Sequence, residues 1–189
     1  MDLLYVAGPP CAGKSTLMAA LTAGCDRVPA DTPVPHSRLV DPTTGAVVGA
    51  ELGRDRPGFP GTDALAMGVS PIACLWVRRG GPALLLAEGD RLAHMGFLES
   101  AAGGGYTVVL AVLAGPTAVL DERCGVRGTT QTEAWRRGRA TKTTRLAERA
   151  DAAGLAVTHL DATAPLTTLV GQLRAAVPAL HALPAAGLS

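Results

Sequence analysis

The residues most able to do chemistry lie in the stretch GPPCAGKST, residues 8–16 of the 189-residue chain. Gly8, Gly13, Lys14 and Ser15 match the pattern GxxxxGK[ST], in which glycines let backbone N–H groups turn inward around phosphate oxygens. In this pattern the lysine neutralises the charge of the β- and γ-phosphates, and the hydroxyl ligates Mg²⁺. The stretch, named here the phosphate loop, therefore predicts a site for a nucleoside triphosphate and magnesium.

The backbone donors of the phosphate loop must come mainly from its second half, because Pro9 and Pro10 have no N–H group. Besides Gly8, we expect the triphosphate to contact six loop residues: Cys11, Ala12, Gly13, Lys14, Ser15 and Thr16. Cys11 lies beside Lys14 and a predicted helix N-terminus, both of which favour the thiolate. We therefore expect alkylation of Cys11 to inactivate the protein.

Two carboxylates follow a buried apolar segment in ALLLAEGDR. We expect Glu88 to support Mg²⁺, usually through water, and Asp90 to accept a proton from an attacking hydroxyl, and the reverse assignment stays open. A second interpretation makes Asp90 only the cap of the next helix. Arg91 contacts the acceptor or the phosphate, or pairs with Asp90.

Basic residues are concentrated between positions 123 and 149, which hold eight of the 17 Lys and Arg residues. We expect this segment to form a lid over the triphosphate, with Arg123 and Arg139 stabilising the transferring phosphoryl group. Arg127 is a predicted nucleotide contact and Lys142 a predicted substrate contact. The alternative is a solvated helix face, which is the common position of a run of charges.

The acceptor of the phosphoryl group is expected to bind an insertion at residues 26–62, which is rich in Pro, Gly, Asp and Arg. Its predicted contacts are Arg38, Arg54, Phe59 and Asp63, together with Arg91. Phe59 either stacks on a base or fills the space beneath a hairpin. Asp63 is equally a ligand contact or a helix N-cap.

The elements that must position these residues follow from the apolar pattern, which alternates short apolar runs with helical periodicity. This alternation predicts an α/β three-layer fold with a five-stranded, mostly parallel sheet. Predicted strands are 3–7, 83–87, 107–113 and 155–160, and turn residues between 36–40 and 46–52 predict a hairpin. Predicted helices are 14–23, 64–79 with a kink at Pro71, 94–102, one after Pro116, 132–152 and 166–177.

Composition predicts one domain over residues 1–177, with the lid at about 123–150 and a flexible tail at 178–189. The formal net charge of +1 argues against a protein that coats nucleic acid. Four widely spaced cysteines without a CxxC pair predict neither a zinc site nor a disulfide, which fits a cytoplasmic location. No signal peptide and no apolar stretch of about 20 residues is present, so no membrane contact is expected.

The chain resembles the small P-loop kinases: adenylate and thymidylate kinases, shikimate-kinase-like enzymes and polynucleotide-kinase-type phosphotransferases. Besides the phosphate loop, LDERCGVRG is similar to the arginine-bearing entrance of their lid. AVTHLDATAPLTTLVGQL is similar to their terminal strand, nucleotide-base loop and closing helix. The middle segment GRDRPGFPGTDALAMGVSP looks like that of phage-encoded kinases. No NKxD guanine motif is present, and no DRY or DRF follows the central strand, which departs from thymidylate kinases.

The resemblance implies a phosphotransferase that uses ATP and Mg²⁺ and acts on a hydroxyl of a nucleoside, nucleotide or related pyrimidine. Three alternatives stay open: a kinase acting on a hydroxymethylpyrimidine base within DNA, a nucleoside monophosphate kinase, and a non-enzymatic ATP-binding switch. The two carboxylates argue against the switch, because a pure ATP binder has little need of both at the γ-phosphate. DNA is a partner only in the first alternative, and no oligomeric state is predicted.

Overall fold

One sheet organises the computed structural model, which describes residues 1–54, 60–129 and 131–185. Within these ranges the sheet has seven strands: β1 (Asp2–Ala7), β2 (Asp26–Ala30), β3 (His36–Val40), β4 (Val47–Leu52), β5 (Leu84–Glu88), β6 (Thr107–Ala114) and β7 (Ala156–Asp161). Their order is β2-β3-β4-β5-β1-β6-β7, and every pair from β4 to β7 is parallel. The mostly parallel α/β sheet is confirmed, with seven strands in place of five.

Three of the seven strands, β2, β3 and β4, come from the segment predicted as the acceptor insertion. β3 and β4 form the predicted hairpin, and β4 also pairs with β5 through Ala50 and Glu51, so the hairpin extends the central sheet. An unpaired hairpin edge next to a central strand would leave backbone N–H and C=O groups without hydrogen bonds. The pairing of β4 with β5 gives such groups partners. β2 adds an edge strand that holds Pro29, a residue tolerated at sheet edges.

Helices cover both faces of the sheet: α1 (Lys14–Thr22), α2 (Ser70–Arg78), α3 (Met95–Gly103), α4 (Thr117–Val126), α5 (Glu133–Ala152) and α6 (Leu166–Ala176). Side chains along β1 point alternately to the two faces of the sheet, so this strand contributes to the hydrophobic core on each face. Leu3 and Tyr5 face α2, α3 and α5, whereas Leu4 and Val6 face α1, α4 and α6. The described residues contain no helix that is long and apolar enough to cross a membrane.

Three predicted elements differ from the structure. The helix predicted from residue 64 begins only at Ser70, and Pro71 lies in its first turn, where a missing N–H is harmless. The predicted flexible tail forms a 3-10 turn at Pro178–Ala182, with Leu180 and Leu183 buried in the core beneath α1 and α6. In the predicted lid, buried residues of α5 join the core: Leu146, Ala147 and Ala150.

Candidate active site

The phosphate loop connects β1 to α1 and has the backbone that its glycines predict. Gly13 has a φ of +97° and Cys11 a φ of +63°, both in the left-handed region. A Cβ on Gly8 would lie 2.3 Å from the carbonyl oxygen of Leu113, so only glycine fits this close to β6. The loop is therefore folded tightly around the N-terminus of α1, which is a binding site for anions.

The Lys14 ammonium lies over the loop that carries it. Its Nζ donates hydrogen bonds of 3.0 Å to the carbonyl oxygens of both Gly8 and Pro9. Burial lowers the pKa of Lys14, and the nearby Glu88 carboxylate opposes this effect. A triphosphate bound in the loop would therefore meet a cation already held at the loop's centre.

Ser15 and Glu88 form a direct pair beside the loop. The Ser15 Oγ donates a 2.9 Å hydrogen bond to Oε1 of Glu88, which is 3% exposed. Burial raises the pKa of Glu88 to about 7, and the Lys14 charge partly opposes this shift. A hydroxyl and a carboxylate oxygen fit Mg²⁺, which takes few protein ligands and completes its shell with phosphates and water. The described residues hold no cluster of three or more His, Cys, Asp or Glu that could bind a metal ion.

The loop after β5 is held from below by two buried hydroxyl groups. The Tyr5 hydroxyl donates to the carbonyl oxygen of Gly89 at 3.1 Å. Thr62 Oγ1 donates to the carbonyl oxygen of Glu88 at 2.8 Å. Both side chains are fully buried, so these bonds fix the position of the backbone at Glu88, where β5 ends.

Asp63 holds the same loop from the side. Its Oδ1 accepts hydrogen bonds from the backbone N–H groups of Asp90, at 2.8 Å, and Arg91, at 3.1 Å. Asp63 therefore holds the backbone of this loop and is not the N-cap of a helix, and it also lines the nucleotide cleft defined below. The Arg91 guanidinium contacts the Asp63 carbonyl oxygen and the Met67 sulfur.

Asp90 joins this loop to α5. Lys142 Nζ donates to Oδ1 of Asp90 at 2.8 Å and to its carbonyl oxygen at 3.1 Å. Arg139 donates to the other carboxylate oxygen of Asp90, and its guanidinium lies 4.8 Å from the centre of the Trp135 ring. The Asp90 carboxylate thus has two cationic partners in the structure.

Two cavities meet at the phosphate loop. The larger, named the nucleotide cleft, has a volume of about 670 Å³ and runs from the phosphate loop to the loop after β7. The smaller, named the side cavity, has a volume of about 330 Å³ and lies between α1 and the ends of β3 and β4. Ser15, Pro60 and Glu88 line both cavities.

A family model described as P-loop Nucleotide Kinase3 matches residues 1–172. The chain belongs to this family. No curated protein matches the chain. Among solved structures, an unliganded sugar kinase from Janibacter sp. HTCC2649 has a TM-score of 0.53 and 14% sequence identity. The match covers 95% of this chain and 98% of that chain. At this identity the likeness shows the fold alone.

Membership of the P-loop Nucleotide Kinase3 family confirms the predicted resemblance to small P-loop kinases. It supports a phosphotransferase in general, and it implies binding of a nucleotide, usually ATP with Mg²⁺.

The kinase fold brings most of the predicted nucleotide contacts together. Arg123 and Arg127 line the nucleotide cleft, and Arg123 donates a 2.9 Å hydrogen bond to the carbonyl oxygen of Ala162. This bond ties α4 to the loop after β7, where Ala162, Ala164 and Leu166 supply an apolar wall. Sequence reasoning assigned that loop to the nucleotide base only through the resemblance.

The predicted acceptor contacts are divided: Asp63, Arg91 and Lys142 lie together at the loop after β5, whereas the others lie elsewhere. Arg54 lines the side cavity and forms a 2.7 Å ion pair with Asp31. Arg38 is exposed, and alternation along β3 puts it on the sheet face opposite Ser37, which lines that cavity. Phe59 lies outside the described residues.

Sequence reasoning missed the polar wall of the side cavity. Arg27 donates to Glu51 at 2.5 Å, and Ser37 is the register partner of Glu51 across β3 and β4. A signal was present, because Glu51 is the one acidic residue in the otherwise apolar strand VVGAEL. Trp135 also lines the nucleotide cleft, and the sequence pattern assigned it no contact.

One cysteine prediction is wrong. Cys11 of the phosphate loop forms a disulfide with Cys124 of α4, and their Cα atoms lie 5.5 Å apart. In this state Cys11 has no thiol to alkylate. The spacing of 113 residues gave no hint of the pair, because only the fold brings α4 to the loop.

Proposed function

We propose that the protein transfers the γ-phosphate of Mg·ATP to a hydroxyl of a nucleoside, nucleotide or related pyrimidine. One observation carries this proposal. Lys14, Ser15 and Glu88 converge where the nucleotide cleft opens into the side cavity, so a triphosphate in one faces an acceptor in the other. A pure ATP-binding switch has no need of a second cavity at the γ-phosphate position.

The nucleotide would lie with its phosphates in the loop and its base against the apolar wall beyond Ala162. Ser15 would hold the magnesium ion directly, and Glu88 would hold it through water. The bound ion would neutralise negative charge on the phosphates. Lys14, Arg123 and Arg127 would add positive charge around the transferring group.

Position favours Glu88 over Asp90 as the proton acceptor, so Glu88 takes the role expected of Asp90 in addition to its support of the metal. Glu88 borders the side cavity, whereas the Asp90 carboxylate is held by Arg139 and Lys142. In the reaction the acceptor oxygen bonds to the γ-phosphorus, and the bond to the β,γ-bridging oxygen breaks with its electrons on ADP. The acceptor proton passes to Glu88, and Asp90 holds α5 in place.

The test is incubation with γ-labelled ATP and a panel of nucleosides, nucleotides, sugars and DNA that carries hydroxymethylpyrimidines. Sugars are included because a sugar kinase shares the fold. We expect transfer to at least one hydroxyl, loss of transfer on chelation of Mg²⁺, and a loss of at least about 100-fold in Lys14→Ala.

The matched control is Arg149→Ala, an exposed position on α5 that should leave the rate unchanged. ATP binding without transfer to any member of the panel would favour the binding switch. A wild-type rate of turnover in Lys14→Ala would show that the phosphate loop takes no part in the reaction.

A further inference from the structure

The side cavity has the position and size of an acceptor site. It is bounded by α1 on one side and by the ends of β3 and β4 on the other, and its volume is about 330 Å³. This is at the small end of ligand pockets, which suits a molecule the size of a monosaccharide or a nucleoside. Its mouth at Ser15 and Glu88 opens on the phosphate loop, so a bound hydroxyl would meet the γ-phosphate there.

Both arginines in the described lining of this cavity are paired with carboxylates. Arg27 donates to Glu51 at 2.5 Å and to Thr22 at 2.8 Å, and Arg54 pairs with Asp31 at 2.7 Å. Each of these arginines already faces a carboxylate. An acceptor that carries a phosphate would place its negative charge near Glu51 and Glu88, which are both buried, and repulsion between like charges is costly where water screens them little.

The same pairing suits an uncharged polar ligand. The Arg27 guanidinium offers N–H donors, the 7% exposed Glu51 carboxylate offers acceptors, and the Ser37 hydroxyl offers both. These groups lie side by side, because Ser37 and Glu51 are directly opposite in the register of β3 and β4. Adjacent donors and acceptors bind the adjacent polar groups of a neutral molecule, such as neighbouring hydroxyls or an amide edge.

We propose that the side cavity binds the acceptor as an uncharged alcohol, recognised through Arg27, Glu51 and Ser37, and excludes phosphorylated acceptors. This inference rests on the proposed function and narrows its substrate class from nucleosides and nucleotides to neutral acceptors. The alcohol is either a free small molecule or a group carried on a polynucleotide whose phosphates stay outside the cavity, since both present the same neutral edge to it.

The test compares pairs of compounds that differ by one phosphate: uridine and UMP, thymidine and TMP, glucose and glucose 6-phosphate. It adds 5-hydroxymethyl-2′-deoxyuridine, free and within an oligonucleotide. Both equilibrium binding, with a non-hydrolysable ATP analogue present, and transfer from labelled ATP are measured. We expect a neutral member to bind at least tenfold more tightly than its phosphorylated partner, and kcat/KM to follow the same order.

Variants of residues that line the side cavity then test whether the preference for the neutral compound arises there. Glu51→Gln should reduce the preference for the neutral member at least fivefold while the Kd for ATP stays within twofold. If Glu51→Gln does not fold, Ser37→Ala should weaken binding of the neutral member, with Ser100→Ala of α3 as the matched control. Transfer to the oligonucleotide but not to the free nucleoside also supports the proposal and identifies a polymer-borne alcohol.

If the phosphorylated members bind more tightly or are phosphorylated faster than the neutral members, the proposal is overturned. The proposed phosphotransferase function is then still supported. Binding of none of the compounds overturns it as well. Neutral binding that depends on Ser37 or Glu51, with no transfer to any compound, sustains the proposal for the cavity and refutes the proposed function instead.

Discussion

At the scale of single residues, Tyr5 connects the core to the candidate site. Its hydroxyl donates to Gly89, and Tyr106, the other tyrosine in the chain, makes comparable hydrogen bonds to Pro82 and Gly81 away from the site. Loss of either hydroxyl should lower the free energy of unfolding by roughly 1 kcal/mol, as removal of a buried hydrogen bond does. Only Tyr5→Phe should also lower kcat, because only Tyr5 holds the loop that carries Glu88.

Urea unfolding and steady-state kinetics on Tyr5→Phe and Tyr106→Phe separate the two effects. We expect kcat to fall at least threefold in Tyr5→Phe and to stay within twofold in Tyr106→Phe. Equal kcat values in both variants would limit Tyr5 to a stabilising role.

The raised pKa of Glu88 has a consequence for the stability of the metal-free protein. A carboxyl with a pKa of about 7 when folded, against an ordinary 4.5, binds a proton in the folded state between these pH values. The unfolded chain binds fewer protons there, so the free energy of unfolding should fall by roughly 1–3 kcal/mol as pH rises from 4.5 to 8.

Urea unfolding with a chelator at pH 5 and pH 8 measures this fall. Glu88→Gln should flatten the dependence, whereas Glu99→Gln at an exposed position of α3 should preserve it. Stability that rises through this window in the wild type and falls in Glu88→Gln would contradict the shift.

The sequence predicted the residues of the site whose roles are set by local spacing. Gly8, Gly13, Lys14 and Ser15 act within one turn between a strand and a helix, so their pattern is readable without the fold. The partners of Asp90 lie 49 and 52 residues away, and Glu51 lies 24 residues from Arg27. Such pairs depend on how β4, β5 and α5 pack, which the spacing of charges does not encode.

At the scale of elements, the first half of α5 carries the cations that bind Asp90, and buried residues of the second half join the core. Arg139 contacts Asp90 and the Trp135 ring, whereas Arg137 two positions earlier pairs with Glu133 on the surface. Arg139→Ala should lower kcat by roughly 10- to 100-fold and change the Kd for ATP less than threefold, since positioning is expressed mainly in the transition state.

Arg137→Ala is the matched control, and its kcat should stay within twofold of the wild type. Single-turnover kinetics measure the rate of phosphoryl transfer, and ATP titration measures the Kd for ATP. A loss confined to ATP affinity in Arg139→Ala would make this arginine a binding residue and α5 a passive wall of the cleft.

The elements most accurately predicted were those with a continuous apolar run or a strong helical period. β1, β5, β6 and β7 are found within one or two residues of their predicted bounds. For β1, β5 and β6 the reason is that strands buried on both faces admit few polar residues, whereas β7 is mostly exposed or half-buried. β2 was missed, since its exposed residues and Pro29 give no such signal. The tail was read as loose from its two prolines, yet Leu180 and Leu183 reach the core.

At the scale of the whole molecule, the Cys11–Cys124 disulfide closes a long covalent loop and joins the phosphate loop to α4. The two residues are 113 positions apart, and a cross-link over a loop of about 100 residues stabilises by up to about 5 kcal/mol in the chain-entropy model. Reduction should therefore lower the free energy of unfolding by roughly 2–5 kcal/mol.

The experiment uses a Cys25→Ser, Cys74→Ser double variant, because Cys25 and Cys74 are the free cysteines and would otherwise respond to the reductant. Urea unfolding with and without a dithiol reductant measures the effect of the remaining pair, and Cys124→Ser supplies a reference without the disulfide. The reductant should destabilise the double variant and leave a Cys25→Ser, Cys74→Ser, Cys124→Ser triple variant unchanged. Thiol titration of the wild type in denaturant, without reductant, should find two reactive thiols. Four thiols, together with no effect of the reductant, would show that Cys11 and Cys124 are free and would restore Cys11 as a target for alkylation.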